Sequence, residues 1–277
     1  MNQSVAALPE ESSSPLSLLR RSPVSVAAVL LAATLVTWIV TVDRMRGMDA
    51  GPGTDLRSAG WFVGIWVTMM AAMMLPSVAP MAMLFAAVSR ESTRRGGEHI
   101  STWIFLAGYF TAWTGYGLVG YGVYRAVRAL DLHFLAWHRH GPLIAGVAII
   151  AAGVYQVTPL KRVCLKHCRS PMHFVLGGWR SGKRGAVCMG LEHGAYCVGC
   201  CWGLMLILFT LGAMSLVWMS IVALVIFAEK VLPFGHRLTA PIAVVLAVAG
   251  IWIAVAPGAF PLLKAPGSGM PMHARTP

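Results

Sequence analysis

The chain has 277 residues, a net charge of +12, 57% hydrophobic residues and 12% charged ones, against roughly 25% charged in an average soluble domain. A soluble core cannot absorb that much apolar surface, so an ordinary water-soluble enzyme is excluded and a membrane protein is expected. The basic excess invites a nucleic-acid reading, but the Lys and Arg residues fall in short segments between apolar runs and make no basic domain; attraction to anionic membrane lipid is the simpler account, and no nucleic-acid partner is expected.

Residues 1–23 hold Ser and Pro without an apolar period, which predicts a disordered tail, and 259–277 read the same way. The apolar run 24–42 follows Arg20 and Arg21 as a secretion signal would. It is too long for one and ends at Asp43-Arg44 without a small-residue cleavage pattern, so it reads as an uncleaved anchor. Further apolar windows lie at 61–88, 101–127, 142–160, 195–213, 215–232 and 240–258. A helix needs roughly 20 residues to cross about 30 Å of hydrocarbon. The expected fold is therefore all-α, a polytopic transmembrane helical bundle of about seven spans forming one domain over 24–258. Six spans with a re-entrant segment is the alternative, because little more than Gly212 to Ser215 separates the fifth and sixth windows. Without water to satisfy backbone groups, spans of this length are helices rather than barrel strands.

The second window is rich in methionine. Six of the 16 methionines lie within 69–83, in Met69-Met70-Ala71-Ala72-Met73-Met74-Leu75-Pro76 and Pro80-Met81-Ala82-Met83. Met69 with Met73, and Met70 with Met74, are one helical turn apart, so each pair presents two thioethers on one face. Thioethers prefer Cu(I) to harder ions, which makes Met70, Met73 and Met74 candidate metal ligands in an intramembrane relay; ordinary packing is the competing account. Pro76 and Pro80 are expected to kink this helix. The third window carries Gly108, Gly115, Gly117, Gly120 and Gly122 and reads as a close helix-packing face. The segment after it holds Asp131, His133, His138 and His140 beside Trp137, which read as interfacial residues rather than a metal site.

Between the fourth and fifth windows lies a basic stretch, 161–194, expected as a cytoplasmic loop. It carries Lys161, Arg162, Lys166, Arg169, Arg180, Lys183 and Arg184. Basic loops stay in the cytoplasm, so a multi-pass membrane protein with a cytoplasmic amino terminus is predicted. All six cysteines fall here or just beyond: Cys164 and Cys168, Cys188, then Cys197, Cys200 and Cys201. On a helix His193, Cys197 and Cys200 stand at i, i+4 and i+7 with Cys201 one further, which puts them on one face. A reducing cytosol disfavours structural disulfides, and clustered thiols there favour metal or redox chemistry. Neighbouring cations would favour the thiolate form. Cys164, Cys168, Cys197, Cys200 and Cys201 are thus candidate ligands of a soft ion, with His193 a candidate sixth. Cu(I) is favoured and Zn(II) is the alternative. Cys188 has no partner at a useful spacing. Glu229-Lys230, near the end of the sixth window, is expected to pair or to snorkel to the interface.

The runs Gly153 to Pro171, Gly190 to Met205 and Glu229-Lys-Val-Leu-Pro233 resemble the bacterial family called domain of unknown function (DUF) 2182. The resemblance covers about residues 60–235 and implies a metal-binding integral membrane protein without implying the ion. Expected function is soft-metal handling or transport, with a metal chaperone or a second copy of the chain as candidate partner. A membrane thiol–disulfide oxidoreductase using Cys197 and Cys200 is the enzymatic alternative, and a non-catalytic membrane subunit or scaffold the third. No phosphate-binding loop, nucleophile elbow or paired carboxylates support any other enzyme.

Overall fold

The computed structural model describes residues 23–46, 58–130, 141–211 and 215–256. The expected tails, Pro23 apart, and the segment containing Asp131, His133, His138 and His140 lie outside the described residues. Within them every regular element is helical: α1 (Pro23–Met45), α2 (Ala59–Arg94), α3 (Thr102–Ala129), α4 (Gly141–Gln156), α5 (Pro159–Arg169), α6 (Pro171–Gly177), α7 (Gly182–Leu211), α8 (Leu216–Val231) and α9 (Thr239–Val255), with a short 3-10 turn at Gly235–Arg237. Four helices are long and apolar enough to cross a membrane: α1, α2, α7, and α9 with the turn before it. α4 and α5 supply a fifth if this pair, bent by 64°, counts as one span. The remaining two expected spans coincide with α3, diluted by Gly, Thr, Tyr and two Arg residues, and α8, which has 16 residues.

Local chemistry explains the breaks. Ser58 Oγ accepts from Trp61 N at the start of α2. Thr158 caps α5 by accepting from Lys161 N, and Pro159 occupies its first turn, where a missing N–H costs nothing. Pro171 opens α6 in the same way. With Thr158, Pro159 and Pro171 as helix starts, 161–194, expected as a loop, becomes α5, α6 and the part of α7 up to His193 and Gly194. α2 stays one 36-residue helix through Pro76 and Pro80.

Four helices form a ring. α3 packs on both α2 and α7, and α8 touches the same two, so α2 and α7 face each other across its middle. α1 lies against α2, while α4 and α9 pair on the outer side of α7. The contacts also give direction. Phe105, Ala112 and Tyr116 on α3 meet Gly190, Gly194 and Trp202 on α7 in ascending order, so these two helices run parallel. α2 runs against α3, because Trp66 donates to Trp113 O and Phe85 stacks on Phe105. α8 returns against α7, so the fifth and sixth windows form a hairpin and not one broken helix.

Two aromatic rungs close the ring at either end. Trp66 stacks on Phe209 at 5.3 Å and Phe62 on Tyr121 at 5.0 Å; at the opposite end Phe85 lies 4.9 Å from Phe105 and 5.3 Å from Trp179. Between them α3 and α7 approach backbone to backbone. A side chain at Gly190 would meet Phe105 O, and one at Gly108 would meet Val187 O. Of the glycines read as a packing face on α3, Gly108, Gly117 and Gly120 have such neighbours, whereas Gly115 and Gly122 face open space. Gly190→Ala forces the two helices apart and is expected to destabilise by about 1–3 kcal/mol, measured as a lower unfolding midpoint in detergent; Gly115→Ala, with room for its methyl, should leave that midpoint unchanged.

Candidate functional site

The predicted metal residues converge from two separate elements. Cys197, Cys200 and Cys201 lie about halfway along α7, not in the first turns of a helix beginning near 195. All three are sealed from the surface. The 64° bend after α4 brings Cys168, near the end of α5, back onto α7, with its Sγ 3.7 Å from Cys200 Sγ. Cys200 Sγ is also 3.3 Å from Cys201 Sγ and donates to Cys197 O at 3.2 Å. Cys197 is close enough to Cys168, Cys200 and Cys201 to interact with all three. Cys164 packs beside them, its Sγ filling the space where a side chain at Gly199 would stand. Cys188 is exposed and away from this group.

His193 occupies the same face of α7 one turn before Cys197. It is 3% exposed and boxed by Phe105, Tyr109 and Phe174, with ring centroids 5.3–6.1 Å away. Its Nδ1 has no hydrogen-bond partner among the described residues, and an unmade buried bond costs about 1–3 kcal/mol. Met70, Met73 and Met74 are fully buried on α2. They lie between Trp66 and Phe85, while Cys197, Cys200 and Cys201 lie between His193, which faces Phe105, and Phe209. Both groups therefore lie in the interval between the two rungs.

Sequence reasoning missed three of the polar residues here. Lys230 is buried and donates to Cys197 Sγ at 2.8 Å. Tyr109 Oη stands 2.9 Å from the same sulfur. Glu229 does not pair with its neighbour Lys230; it takes Lys161 at 2.7 Å, both side chains being essentially inaccessible, and Lys161 also donates to Gln156 Oε1. Neither Glu229 nor Lys230 snorkels. The cations expected to surround the thiols are occupied elsewhere, Arg162 with Val157 O and Arg169 with Glu229 O and Pro233 O. The available signal was the pair of adjacent opposite charges inside an apolar run, which in a buried setting demands two partners.

Metal–sulfur bonds near 2.3 Å would place tetrahedral ligands about 3.8 Å apart, close to the Cys168–Cys200 separation of 3.7 Å. Cys200 and Cys201 sit tighter than that. Among the described residues no set of three or more His, Cys, Asp or Glu side chains is arranged to hold an ion as it stands. The thiols pack on one another rather than around a central gap, and loading would require their rotamers to turn.

Thiols from two helices, all but that of Cys168 buried, gather beside an ammonium inside an all-helical bundle with four membrane-length helices. The family model for PpoB2, described as a copper chaperone, matches residues 63–253, and the chain belongs to that family. The match bears a different name from the resemblance drawn from the motifs but agrees with it on metal handling, and it specifies copper; zinc gains no support. No curated protein and no solved structure matches the chain significantly.

The Lys161–Glu229 pair ties α5, and with it Cys168, to α8. Lys161→Met or Glu229→Gln alone leaves an uncompensated buried group and is expected to cost about 3–5 kcal/mol. The double variant Lys161→Met/Glu229→Met should recover most of that loss, as a double-mutant cycle on detergent-solubilised protein will read.

Proposed function

We propose that this protein is a copper-handling protein of the bacterial inner membrane that takes up Cu(I) at the buried thiols of Cys168, Cys197, Cys200 and Cys201 and passes it on. The observation that carries the reading is the meeting of Cys168 and Cys200 across two helices at a metal-compatible separation, in a chain of a copper chaperone family. Thiolates and thioethers are the donors that select Cu(I). His193, with its free Nδ1, and Cys164, against Gly199, are the supplementary ligands. Met70, Met73 and Met74, buried on α2 between the same two rungs, are the proposed points of exchange.

The chain's own residues supply three things in this scheme. The rungs around Trp66 and Phe85 exclude water from the centre. Lys230 and Tyr109 fix the orientation of Cys197 Sγ through contacts of 2.8 and 2.9 Å. The bend before α5 carries Cys168, the one of the four that is not fully buried, to the rim where cargo arrives. Seven crossings with a cytoplasmic amino terminus belong to the proposal; it is supported by the antiparallel pairs α2–α3, α4–α7, α7–α8 and α4–α9, together with parallel α3 and α7. A redox couple would need only Cys197 and Cys200, whereas Cys200 also stands against Cys168 and Cys201, which favours metal binding over the oxidoreductase alternative.

Copper measured per protein after anaerobic purification tests the scheme. Cys168→Ser, Cys197→Ser and Cys200→Ser should each lose most of it, and the loss of Cys168 alone distinguishes metal binding from a Cys197–Cys200 redox couple. Retention of full copper by Cys168→Ser would overturn the assignment.

The orienting residues should behave differently. Tyr109→Phe and Lys230→Met are expected to lower copper affinity roughly 10–100-fold, the usual effect of removing a group that orients a ligand, as competition with a Cu(I) chelator will read. The triple change of Met70, Met73 and Met74 to Leu conserves volume, so the fold should survive at less than about 1.5 kcal/mol per site. Copper transfer to an acceptor chelator is expected to slow in that variant.

A further inference from the structure

A second site lies at the end of the bundle marked by Phe85 and away from the thiols. A cavity of about 330 Å³ opens between the first turns of α1, the last turns of α2 and the segment leading into α3. Its inner wall is apolar, with Leu30 and Leu106 2–3% exposed. Its mouth carries Arg90, His99 and the start of α3 at Ser101-Thr102. The rim is a built structure: Ser89 Oγ donates to Ile100 O at 2.8 Å and accepts from Ile100 N at 3.3 Å, pinning the turn before α3 to α2.

Charge at this mouth is unbalanced. The two nearby carboxylates are engaged, Glu91 with Arg95 at 2.9 Å and Arg94 at 3.8 Å, and Glu98 with Lys183 at 3.9 Å. Arg90 has no ion-pair partner among the described residues, and Ser101 makes no side-chain cap, so the first N–H groups of the 28-residue α3 carry no cap from it. An anion is the chemistry this mouth would complement. The other half of the chemistry is apolar: Val29 and Trp103 line the cavity yet are 47% and 55% exposed, so it opens sideways onto the apolar outer face of α1. A free anion would gain nothing from that wall. The volume suits a headgroup and the first methylenes attached to it, at the lower end of ligand pockets, which run from about 300 Å³.

We propose that this cavity binds the phosphate of an anionic phospholipid, held by Arg90, His99 and the α3 amino terminus, with its glycerol and upper acyl carbons over Val29 and Leu30. Basic pockets between membrane helices recognise acidic headgroups by the same combination. Thiol centre and lipid site sit at different levels of the bundle, and the proposal does not depend on copper.

The test uses the full chain, delipidated in a neutral detergent and titrated separately with phosphatidylglycerol, phosphatidylcholine and inorganic phosphate, with bound lipid read by native mass spectrometry. Wild type should hold phosphatidylglycerol well above phosphatidylcholine, and Arg90→Gln should hold it about ten-fold more weakly, the effect of losing one charge-assisted contact. Arg90→Lys should fall between. Equal retention by wild type and Arg90→Gln overturns the site. Displacement of the lipid by inorganic phosphate mole for mole overturns the lipid assignment in favour of a free-phosphate site. The lipid-free melting temperature checks folding, and His99→Gln serves as the second variant should Arg90→Gln fail it.

Discussion

Cys168 reaches Cys200 only because α5 turns back from α4 by 64°, and a turn of that kind inside an apolar bundle needs a tie. The tie is the buried pair of Lys161 and Glu229, reinforced by Arg169, which donates to the carbonyls of Glu229 and Pro233. An ion pair in such surroundings contributes little net stability, since desolvation offsets most of the Coulomb gain, but breaking one partner away is expensive. Its effect is therefore to make one arrangement of α5 far better than its alternatives. A Met–Met contact would hold the same helices and tolerate sliding; a salt bridge at 2.7 Å does not.

The same reasoning explains why two neighbouring charges in α8 point to different helices. Glu229 reaches α5 and Lys230 reaches α7, so α8 acts as a clamp whose two jaws set the two halves of the thiol group. Tyr109, on α3, closes the third side of Cys197. Backbone contact between α3 and α7 at Gly108 and Gly190 leaves no slack along that seam. These contacts hold the sulfur atoms from three helices.

Much of this was legible from the chain alone. Every apolar window fell on a helix, and the His193, Cys197, Cys200 and Cys201 stripe required only the helical period and holds on α7. The alliance of Cys168 with Cys200 was not legible in its geometry, because it depends on a bend angle that no periodicity encodes. Reading 161–194 as a loop followed from its charge, and it overlooked Thr158-Pro159 and Ser170-Pro171, each a helix start. Tyr109 and Lys230 escaped because one looked like packing and the other like an interface residue. Burial decides between such roles, and burial is set by helices far away in sequence. Length and dilution misled in the other direction: α8, apolar but only 16 residues long, and α3, diluted by Gly, Thr, Tyr and Arg, both belong to the ring.

The length of α2 has a mechanical side. Its 36 residues extend about 54 Å at 1.5 Å per residue, against about 30 Å of hydrocarbon. A tilt of about 20°, average for membrane helices, shortens the projection by only a few per cent, so tilting does not absorb the mismatch. In the proposed membrane setting several turns stand in the headgroup layer or beyond it, and the charged stretch from Arg90 to Arg95 is the part suited to do so. α2 is then a mast fixed at mid-height by its methionine stretch and free to be pushed at its tip. A force applied to that tip by lipid or by another protein would be levered, through an unbroken helix, onto Met70, Met73 and Met74.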